Sequence, residues 1–227
     1  MTSPLVRAIV VADGAHPTRA ALDAAWPDWD AGTDLVVAAD GGARLADALG
    51  LPIHRWVGDG DSLGETGLAE LRRRGVPIEL ASPDKDESDT ELGLLTAVGA
   101  GARRVTIIGA LGGLRPDHAL ANVALLGHPA AAGCELQILD PIARIRLLDG
   151  ASGRLDLAGR VGDLVSLIPL EAVDGVTTTG LRFPLRDDTL IVGPARGISN
   201  IRAASDASVS IRSGRLLVIE APATLRP

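Results

Sequence analysis

Short aliphatic runs alternate with helical patterns from the beginning of the chain to about residue 140. The runs are of strand length and rich in Val, Ile and Leu, which is typical of parallel strands buried on both faces. They cover residues 5–12, 34–40, 54–59, 104–110 and 135–140. Between them, Leu and Ala recur at helical spacing over residues 42–50, 65–75, 88–101 and 118–127. This alternation predicts an α/β domain with a parallel sheet over residues 1–140.

Beyond residue 140 the helical pattern gives way to short β-rich segments that are separated by Gly, Pro and Asp. These segments cover residues 143–149, 162–170, 175–180, 188–193, 207–214 and 215–221. Their length and spacing predict a C-terminal antiparallel β-sandwich or barrel over residues 141–227. The predicted boundary is a turn at Asp140 and Pro141 rather than a long linker.

Charge and composition exclude several classes of protein. The net charge is −7, and residues 1–140 contain 20 acidic against 11 basic residues. This balance argues against a general nucleic-acid binder, which needs a basic face. The single cysteine allows neither an internal disulfide nor a cysteine zinc cluster. Apolar runs are far shorter than a membrane span, and the first residues lack a signal-peptide pattern. We therefore expect a cytoplasmic protein that binds neither nucleic acid nor membranes.

Aromatic residues are scarce: the chain has three Trp, one Phe and no Tyr. With 46% hydrophobic residues, the chain is nevertheless able to bury a substantial core. We therefore expect that core to be built from Leu, Val, Ile and Ala.

Acidic side chains stand at three places where predicted strands end or a helix begins. Asp40 follows one strand, Asp59 and Asp61 follow the next, and Asp86 and Asp89 stand at the start of a predicted helix. Ligands of open α/β sheets bind outside the carboxyl ends of the strands, so these groups are expected to converge on one crevice. Clustered carboxylates repel each other unless a cation is shared, and Mg²⁺ is the expected cation beside phosphates.

Each acidic segment also has an ordinary structural explanation. Asp40 fits a helix N-cap, and Ser88 with Glu91 fits a capping box. The segment GDGDS at 58–62 fits a turn. Turns do not require an acid at successive strand ends, however, so the repetition favours a shared ligand site.

The only lysine of the chain lies inside this acidic region. All other basic residues are Arg, whereas Lys85 precedes Asp86. An ammonium group is a compact charge that commonly binds phosphate. The segment GALGGLRPDH at 109–118 follows a predicted strand and opens a helix, so its backbone N–H groups are expected to favour an anion, with Arg115 as a phosphate partner. It matches neither the dinucleotide fingerprint nor a P-loop.

Five motifs together resemble the thiamin pyrophosphokinase family, in the order of that family and over both parts of the chain. They are ADGGA (39–43), GDGDS (58–62), KDESDTE (85–91), GALGGLRPDH (109–118) and GISN (197–200). The resemblance implies an α/β nucleotide-binding domain followed by a β-sandwich that binds thiamine and forms a homodimer, with active sites shared between subunits. It also implies transfer of a pyrophosphoryl group from ATP to the hydroxyl of thiamine, with Mg²⁺ as cofactor and thiamine diphosphate and AMP as products.

The same resemblance, carried over motif by motif, implies the site residues. The residues implied to hold Mg²⁺ are Asp40, Asp59, Asp61 and Asp86, with Asp89 as an alternative to Asp86. The implied catalytic residues are Asp59, Asp61, Lys85, Asp89 and Arg115, among which Lys85 and Arg115 neutralise charge and Asp89 accepts the hydroxyl proton. The implied nucleotide contacts are Asp40, Gly41, Gly42, Asp86, Ser88, Gly112, Gly113, Asp117 and His118. Ser199 and Asn200 are implied to face thiamine from the partner subunit.

Two alternatives stay open. The first is a pyrophosphokinase of the same fold that acts on another alcohol, such as a pterin. It is suggested by Gly60, which stands where the family usually has Phe, and by the scarcity of aromatic residues. Phe183, an aliphatic surface or Trp56 would have to contact the acceptor ring. The second alternative is a protein that binds nucleotide or thiamine without turnover.

Overall fold

The computed structural model describes residues 6–225, with only the backbone of Leu225, and the chain divides into two compact units between Asp140 and Pro141. Residues 1–5 and 226–227 lie outside the described residues. They include the first residue of the predicted strand at 5–12 and the outer ends of both predicted domains. In the described range, no helix has the length and apolar character needed to cross a membrane.

The first unit is a parallel sheet with helices between its strands. The strands are β1 (Val6–Val11), β2 (Leu35–Ala39), β3 (Arg55–Gly58), β4 (Ile78–Leu80), β5 (Ala102–Ile108) and β6 (Glu135–Asp140). The helices are α1 (Arg19–Ala25), α2 (Gly42–Ala48), α3 (Gly64–Arg73), α4 (Asp89–Gly99) and α5 (Pro116–Ala124). The strand order is β6-β5-β1-β2-β3-β4, and every neighbouring pair is parallel. The predicted α/β class of this part is confirmed.

Two elements of the first unit were not predicted, because neither has a strong hydrophobic pattern. Helix α1 has seven residues, and its N-cap is Thr18, whose hydroxyl accepts the Ala21 N–H at 3.2 Å. Only Leu22 and Ala25 of this helix are buried. Strand β4 has three largely accessible residues at the sheet edge and pairs only with β3 among the described strands.

The core of the first unit is mainly aliphatic but also contains two tryptophans. Trp26 and Trp56 are both buried in the main cluster, and Trp56 is fully inaccessible. Each indole N–H donates to a backbone carbonyl at the end of a strand: Trp26 to Asp140 at 2.8 Å and Trp56 to Asp40 at 2.9 Å. Burying an indole requires such a partner. The expectation of a purely aliphatic core is therefore wrong at these two positions.

The second unit consists of two antiparallel four-stranded sheets. Its strands are β7 (Ala143–Asp149), β8 (Arg154–Asp156), β9 (Leu164–Pro169), β10 (Val173–Thr179), β11 (Asp188–Leu190), β12 (Asn200–Ile201), β13 (Ser208–Ser210) and β14 (Arg215–Ala221). The sheet orders are β12-β9-β14-β7 and β11-β10-β13-β8. Residues of both sheets belong to one hydrophobic cluster, for example Leu148, Val165 and Val218 with Val176 and Val209. This arrangement confirms the predicted antiparallel β-sandwich.

The predicted strands of this unit are observed, but several are shorter than expected. The prediction at 207–214 becomes the three residues of β13, and that at 188–193 becomes β11. Strands β8 and β12, of three and two residues, were not predicted. Such short strands show no alternating pattern, because their pairing depends on neighbours that are distant in sequence.

Candidate active site

A cavity of about 830 Å³ opens at the carboxyl ends of the strands in the first unit. The loops after β1, β2, β3, β4 and β5 all contribute to its wall, as do residues of α5 and the start of α4. Its lining residues are Asp13, Gly14, Ala39, Asp40, Asp61, Ser62, Pro83, Lys85, Asp86, Glu87, Ser88, Asp89, Thr90, Ala110, Gly112, Gly113, Leu114, Arg115, His118, Ala119 and Asn122. The predicted convergence of the acidic segments on one crevice is therefore observed.

Asp40 is held at the end of β2 in an unusual backbone conformation. Its φ is 43°, its N–H donates to the Val57 carbonyl at 2.8 Å, and its own carbonyl accepts the Trp56 indole N–H. Gly58 of the neighbouring strand packs against it so closely that a Cβ there would lie 2.9 Å from the Asp40 Cβ. A left-handed conformation is uncommon for a residue other than glycine and is often found at functional sites.

The Asp40 side chain is not the helix N-cap that its position after β2 suggests. The N-cap of α2 is Gly41, which offers no side chain for capping. Asp40 Oδ2 instead accepts the Ser62 N–H at 3.3 Å. Asp40 Oδ1 is buried and has no hydrogen-bond partner among the described residues. A buried carboxylate oxygen without such a partner is suited to bind a cation or a proton.

Three carboxylates approach each other beside the cavity: Asp40 and Asp89 line it, whereas Asp59 is not among its lining residues. Oxygen atoms of Asp40, Asp59 and Asp89 all lie within 4.8 Å of one another. Lys85 Nζ lies 3.3 Å from Asp59 Oδ2 and 3.0 Å from Asp89 Oδ1. Of the aspartates predicted to bind metal, the structure thus brings together Asp40, Asp59 and Asp89. This set of hard oxygen donors fits a divalent cation such as Mg²⁺.

The pKa values of this group reflect its crowding. Burial raises the pKa of Asp40, and the nearby carboxylates of Asp61 and Asp89 raise it further, against the lowering effect of a hydrogen bond from the Ser62 side chain. The pKa of Asp59 is lowered, first by the Asp61 N–H and then by Lys85. Burial alone would lower the pKa of Lys85, but hydrogen bonds and charges of Asp89 and Asp59 together raise it. The group therefore combines Asp40, whose carboxyl group ionises less readily than usual, with Lys85, whose ammonium group loses its proton less readily than usual.

Asp61 and Asp86, also predicted as metal ligands, line the same cavity outside this group of three. The segment GDGDS does form a turn, in which Asp59 Oδ1 accepts the Asp61 N–H at 3.1 Å. Gly60 has a φ of 84°, and a Cβ there would lie 3.0 Å from Leu68. The turn therefore favours glycine at this position, and it also delivers the Ser62 N–H to Asp40.

The predicted capping box at the start of α4 is only half formed. Ser88 is the N-cap and accepts the Glu91 N–H at 3.2 Å, as predicted. The Glu91 carboxylate, however, lies 3.3 Å from His128 Nε2. His128 Nδ1 accepts the Ala130 N–H at 3.1 Å, so Nε2 carries the proton that faces Glu91. This contact links the helix that carries Asp89 to the segment after α5.

The glycine-rich loop after β5 forms another part of the cavity wall. Gly109, Gly112 and Gly113 all have positive φ, and the Gly109 carbonyl accepts the Gly14 N–H at 2.7 Å. As predicted, the loop opens a helix, with Arg115 as the residue before Pro116. Of the residues predicted to contact the nucleotide, His118, Gly112 and Gly113 line the cavity, whereas Gly41 and Gly42 are not among its lining residues.

Arg115 points its guanidinium at a neighbouring carboxylate. Its Nε donates to Asp117 Oδ1 at 2.9 Å, and both side chains are exposed. The pair lowers the pKa of Asp117 and raises that of Arg115. An exposed ion pair is weak, so it leaves the guanidinium available to a phosphate. Asp117 does not line the cavity itself.

Gly41 and Gly42 lie where no larger residue fits. A Cβ on Gly41 would overlap the Asp13 carboxylate, and one on Gly42 would overlap the Val11 carbonyl. Asp13 lines the cavity and lies 2.9 Å from His16 Nε2. Asp13 was not among the predicted site residues, although it stands two residues after the end of β1, much as Asp40 follows β2, and this position identified the other acids.

The remaining predicted site residues belong to the second unit. Ser199 has a φ of 59°, and its N–H donates to Ser166 Oγ at 3.0 Å. Asn200 is buried, and its amide bonds to the backbone of Phe183. Phe183 is 59% exposed, whereas Trp56 is fully buried. The alternative in which Trp56 contacts an acceptor ring is therefore wrong.

Two family models match the chain, one on each unit. The model described as Thiamin pyrophosphokinase, catalytic domain, matches residues 28–138. The model described as Thiamin pyrophosphokinase, vitamin B1 binding domain, matches residues 154–216. Together they span most of the chain.

Individual relatives agree with these matches. The chain is 27% identical over 181 residues to the thiamine pyrophosphokinase of Bacillus subtilis (strain 168), covering 79% of this chain and 83% of the relative. It resembles the crystal structure of the thiamine pyrophosphokinase from Bacillus subtilis with a TM-score of 0.79 and 25% identity, over 95% of this chain and 98% of the other. For the thiamin pyrophosphokinase from Geobacillus thermodenitrificans the TM-score is 0.77 and the identity 28%, over 96% and 98% of the chains.

Proposed function

Because the chain belongs to the thiamin pyrophosphokinase family, we propose that it transfers a pyrophosphoryl group from ATP to the hydroxyl of thiamine, giving thiamine diphosphate and AMP. The observation that carries the proposal is the convergence of Asp40, Asp59 and Asp89 with Lys85 beside one cavity. A nucleotide-binding protein without turnover has no evident need for this number of carboxylates close to phosphate.

Asp40, Asp59 and Asp89 are the residues proposed to hold Mg²⁺, with Asp61 and Asp86 close by in the cavity wall. The buried Asp40 Oδ1 without a hydrogen-bond partner among the described residues supports this assignment. The ion would neutralise phosphate charge when bound. The position of Asp89, beside Lys85 and two carboxylates, favours a metal ligand over the proton acceptor that was predicted for it.

The chain's own cations are proposed to stabilise the charge that the transferred group carries. Lys85 faces the carboxylates from the loop before α4, and Arg115 faces the cavity from the start of α5. Glycine-rich backbone after β5 and the N-terminus of α4 at Ser88 would offer N–H groups to the phosphates. Such transfer depends mainly on in-line placement and charge stabilisation, which these groups would supply around the cavity.

The second unit is proposed to bind thiamine through Phe183 and to form a homodimer with shared active sites. Phe183 is the only aromatic residue of that unit, and its ring is exposed. Exposed aliphatic side chains of the same unit, including Ile168, Ile191, Val192 and Ile198, offer an apolar surface for a second subunit. A single cysteine is common in proteins of reducing compartments, so we also propose a cytoplasmic location.

The test is product formation by the purified protein with ATP, Mg²⁺ and thiamine, in which AMP and thiamine diphosphate appear in equal amounts. The variant Asp89→Asn is expected to lower kcat/KM on the order of 100-fold or more. Asp84→Asn is the matched control, because Asp84 belongs to the same loop but lies outside the cavity wall and the carboxylate group.

A panel of acceptors separates the proposal from its alternatives. Formation of AMP only with a pterin alcohol would move the activity to another acceptor. Binding of ATP and thiamine without AMP formation under all conditions would replace the enzyme by a binding protein. An unchanged rate in Asp89→Asn would contradict the assigned site.

A further inference from the structure

Phe183 lies at the crest of a short arch in the second unit. The arch is the segment LRFPL at 181–185, between β10 and β11. Its two ends, Leu181 and Leu185, are buried in the core of the sandwich, whereas the three residues between them are exposed. Burial of both leucines anchors the arch, and Pro184 restricts the backbone of the residue before it. An exposed aromatic ring is thus presented from a rigid support.

The side-chain amide of Asn200 binds the backbone of Phe183, the central residue of this arch. Its Oδ1 accepts the Phe183 N–H at 3.0 Å, and its Nδ2 donates to the Phe183 carbonyl at 2.7 Å. An N–H only donates and a carbonyl only accepts, so these two bonds also define the orientation of the amide. Asn200 therefore satisfies both backbone groups of the one residue whose ring is exposed.

The Asn200 amide has little capacity left for further hydrogen bonds. Its Oδ1 accepts a second bond from the Ile201 N–H at 2.8 Å, which uses both lone pairs of the oxygen. The side chain is buried, with a relative exposure of 8%. The preceding residue, Ser199, has a left-handed backbone conformation, and its N–H donates to Ser166 Oγ. Asn200 is thus oriented toward the arch rather than toward solvent.

One face of the Phe183 ring already has a neighbour. The Arg182 guanidinium lies over the ring at 5.4 Å from its centroid. This cation–π contact further restricts the rotation of the ring. A planar acceptor would stack on the other face, in the offset geometry that aromatic pairs prefer.

From this geometry we infer that Asn200 is a positioning residue for the acceptor, which acts by fixing Phe183 and does not itself contact the acceptor. The inference rests on the proposed function, because it takes thiamine as the ligand of Phe183. It replaces the direct contact that the resemblance implies for Asn200 by an indirect one.

The test is a double-mutant cycle with Asn200→Ala, Phe183→Ala and both together, read as separate KM values for thiamine and ATP. Phe183→Ala is expected to raise the thiamine KM roughly two- to tenfold, the scale of one aromatic contact. Asn200→Ala is expected to raise the thiamine KM by a comparable factor and to leave the ATP KM unchanged. In the double variant, loss of Asn200 adds nothing further, because the ring it positions is absent.

Thr178→Val is the matched control for stability. Thr178 is buried and its Oγ1 accepts the Leu185 N–H at 2.9 Å, so it supports the foot of the same arch. We expect this variant to lower the melting temperature but to change the thiamine KM much less than Asn200→Ala does, because the Asn200 amide still binds both backbone groups of Phe183. If Asn200→Ala does not fold, Asn200→Asp retains an acceptor for the Phe183 N–H but replaces the donor by a carboxylate oxygen that the Phe183 carbonyl repels, and it is expected to raise the thiamine KM too.

The inference is overturned if loss of Asn200 raises the thiamine KM by the same factor with and without Phe183, because the amide then contacts the acceptor directly. It is also overturned if neither Asn200 variant changes the thiamine KM. Failure of the proposed function is a separate result, since it appears as the absence of thiamine-dependent AMP formation in the unaltered protein.

Discussion

Lys85 forms ion pairs with Asp59 and Asp89, two of the carboxylates that we propose as metal ligands. Replacing Lys85 therefore separates its effect on Mg²⁺ binding from its effect on turnover. The change Lys85→Gln removes both ion pairs and keeps a polar side chain. We expect Mg²⁺ to bind the nucleotide-free protein more tightly, because Asp59 and Asp89 no longer share their charge with an ammonium. We expect turnover to fall, because the charge of the transferred group is no longer neutralised by Lys85.

The magnitude follows from the two contacts of 3.3 and 3.0 Å. The side chains of Lys85, Asp59 and Asp89 are 12%, 16% and 30% exposed, so the pairs are shielded better than ordinary surface pairs. About 1 kcal/mol for each pair, the upper end for exposed ion pairs, is therefore the appropriate scale. Two such pairs correspond to a gain in Mg²⁺ affinity of roughly 30-fold. Loss of a cation that stabilises the transition state is expected to lower kcat on the order of 100-fold.

Calorimetric titration of Mg²⁺ into nucleotide-free protein measures the first effect, and AMP release at saturating substrates measures the second. Lys85→Arg serves as the control that keeps the charge, and we expect its Mg²⁺ affinity to remain near that of the unaltered protein. Weaker Mg²⁺ binding in Lys85→Gln, or an unchanged kcat, would refute the reasoning, since the two effects have opposite signs and a common cause.

Two further predictions concern stability. Because burial raises the pKa of Asp40, its protonated form adds stability that is present at acid pH and is lost as the pH rises through the raised value. With a chelator present, Asp40→Asn is therefore expected to raise the free energy of unfolding by about 1 kcal/mol at neutral pH and by less toward acid pH. Denaturant unfolding measures this, and an increase that does not depend on pH would contradict the prediction. On α4, a Cβ at Gly93 would lie 2.8 Å from Val10 Cγ1, whereas one at Gly99 has no neighbour within 4 Å. Gly93→Ala is expected to destabilise by about 1–3 kcal/mol and Gly99→Ala to stabilise by about 0.5–1 kcal/mol, and equal melting temperatures would disprove the packing argument.

Much of the site region was predictable because its signals are local. Continuous aliphatic runs identified β1, β2, β3, β5 and β6, since strands buried on both faces require such residues at every position. Acids directly after those strands then had to lie at one edge of the sheet, because parallel strands end on the same side. Five ordered motifs identified the family on the same basis.

The tertiary structure decided which of these side chains act together. Asp40, Asp59 and Asp89 meet, while Asp61 and Asp86 line the wall outside that group, because turn geometry and the start of α4 direct each carboxylate. Nothing in the local sequence shows that Trp56 is buried against the Asp40 carbonyl.

The same limit applies to the partners of Glu91 and Asn200. The Glu91 carboxylate lies beside His128 instead of completing its capping box, and the Asn200 amide binds the backbone of Phe183. Element type and the placing of acids follow from hydrophobic periodicity and chain direction, which the sequence alone contains. The direction of a side chain depends on backbone angles and on neighbours far along the chain, which exist only once the chain has folded.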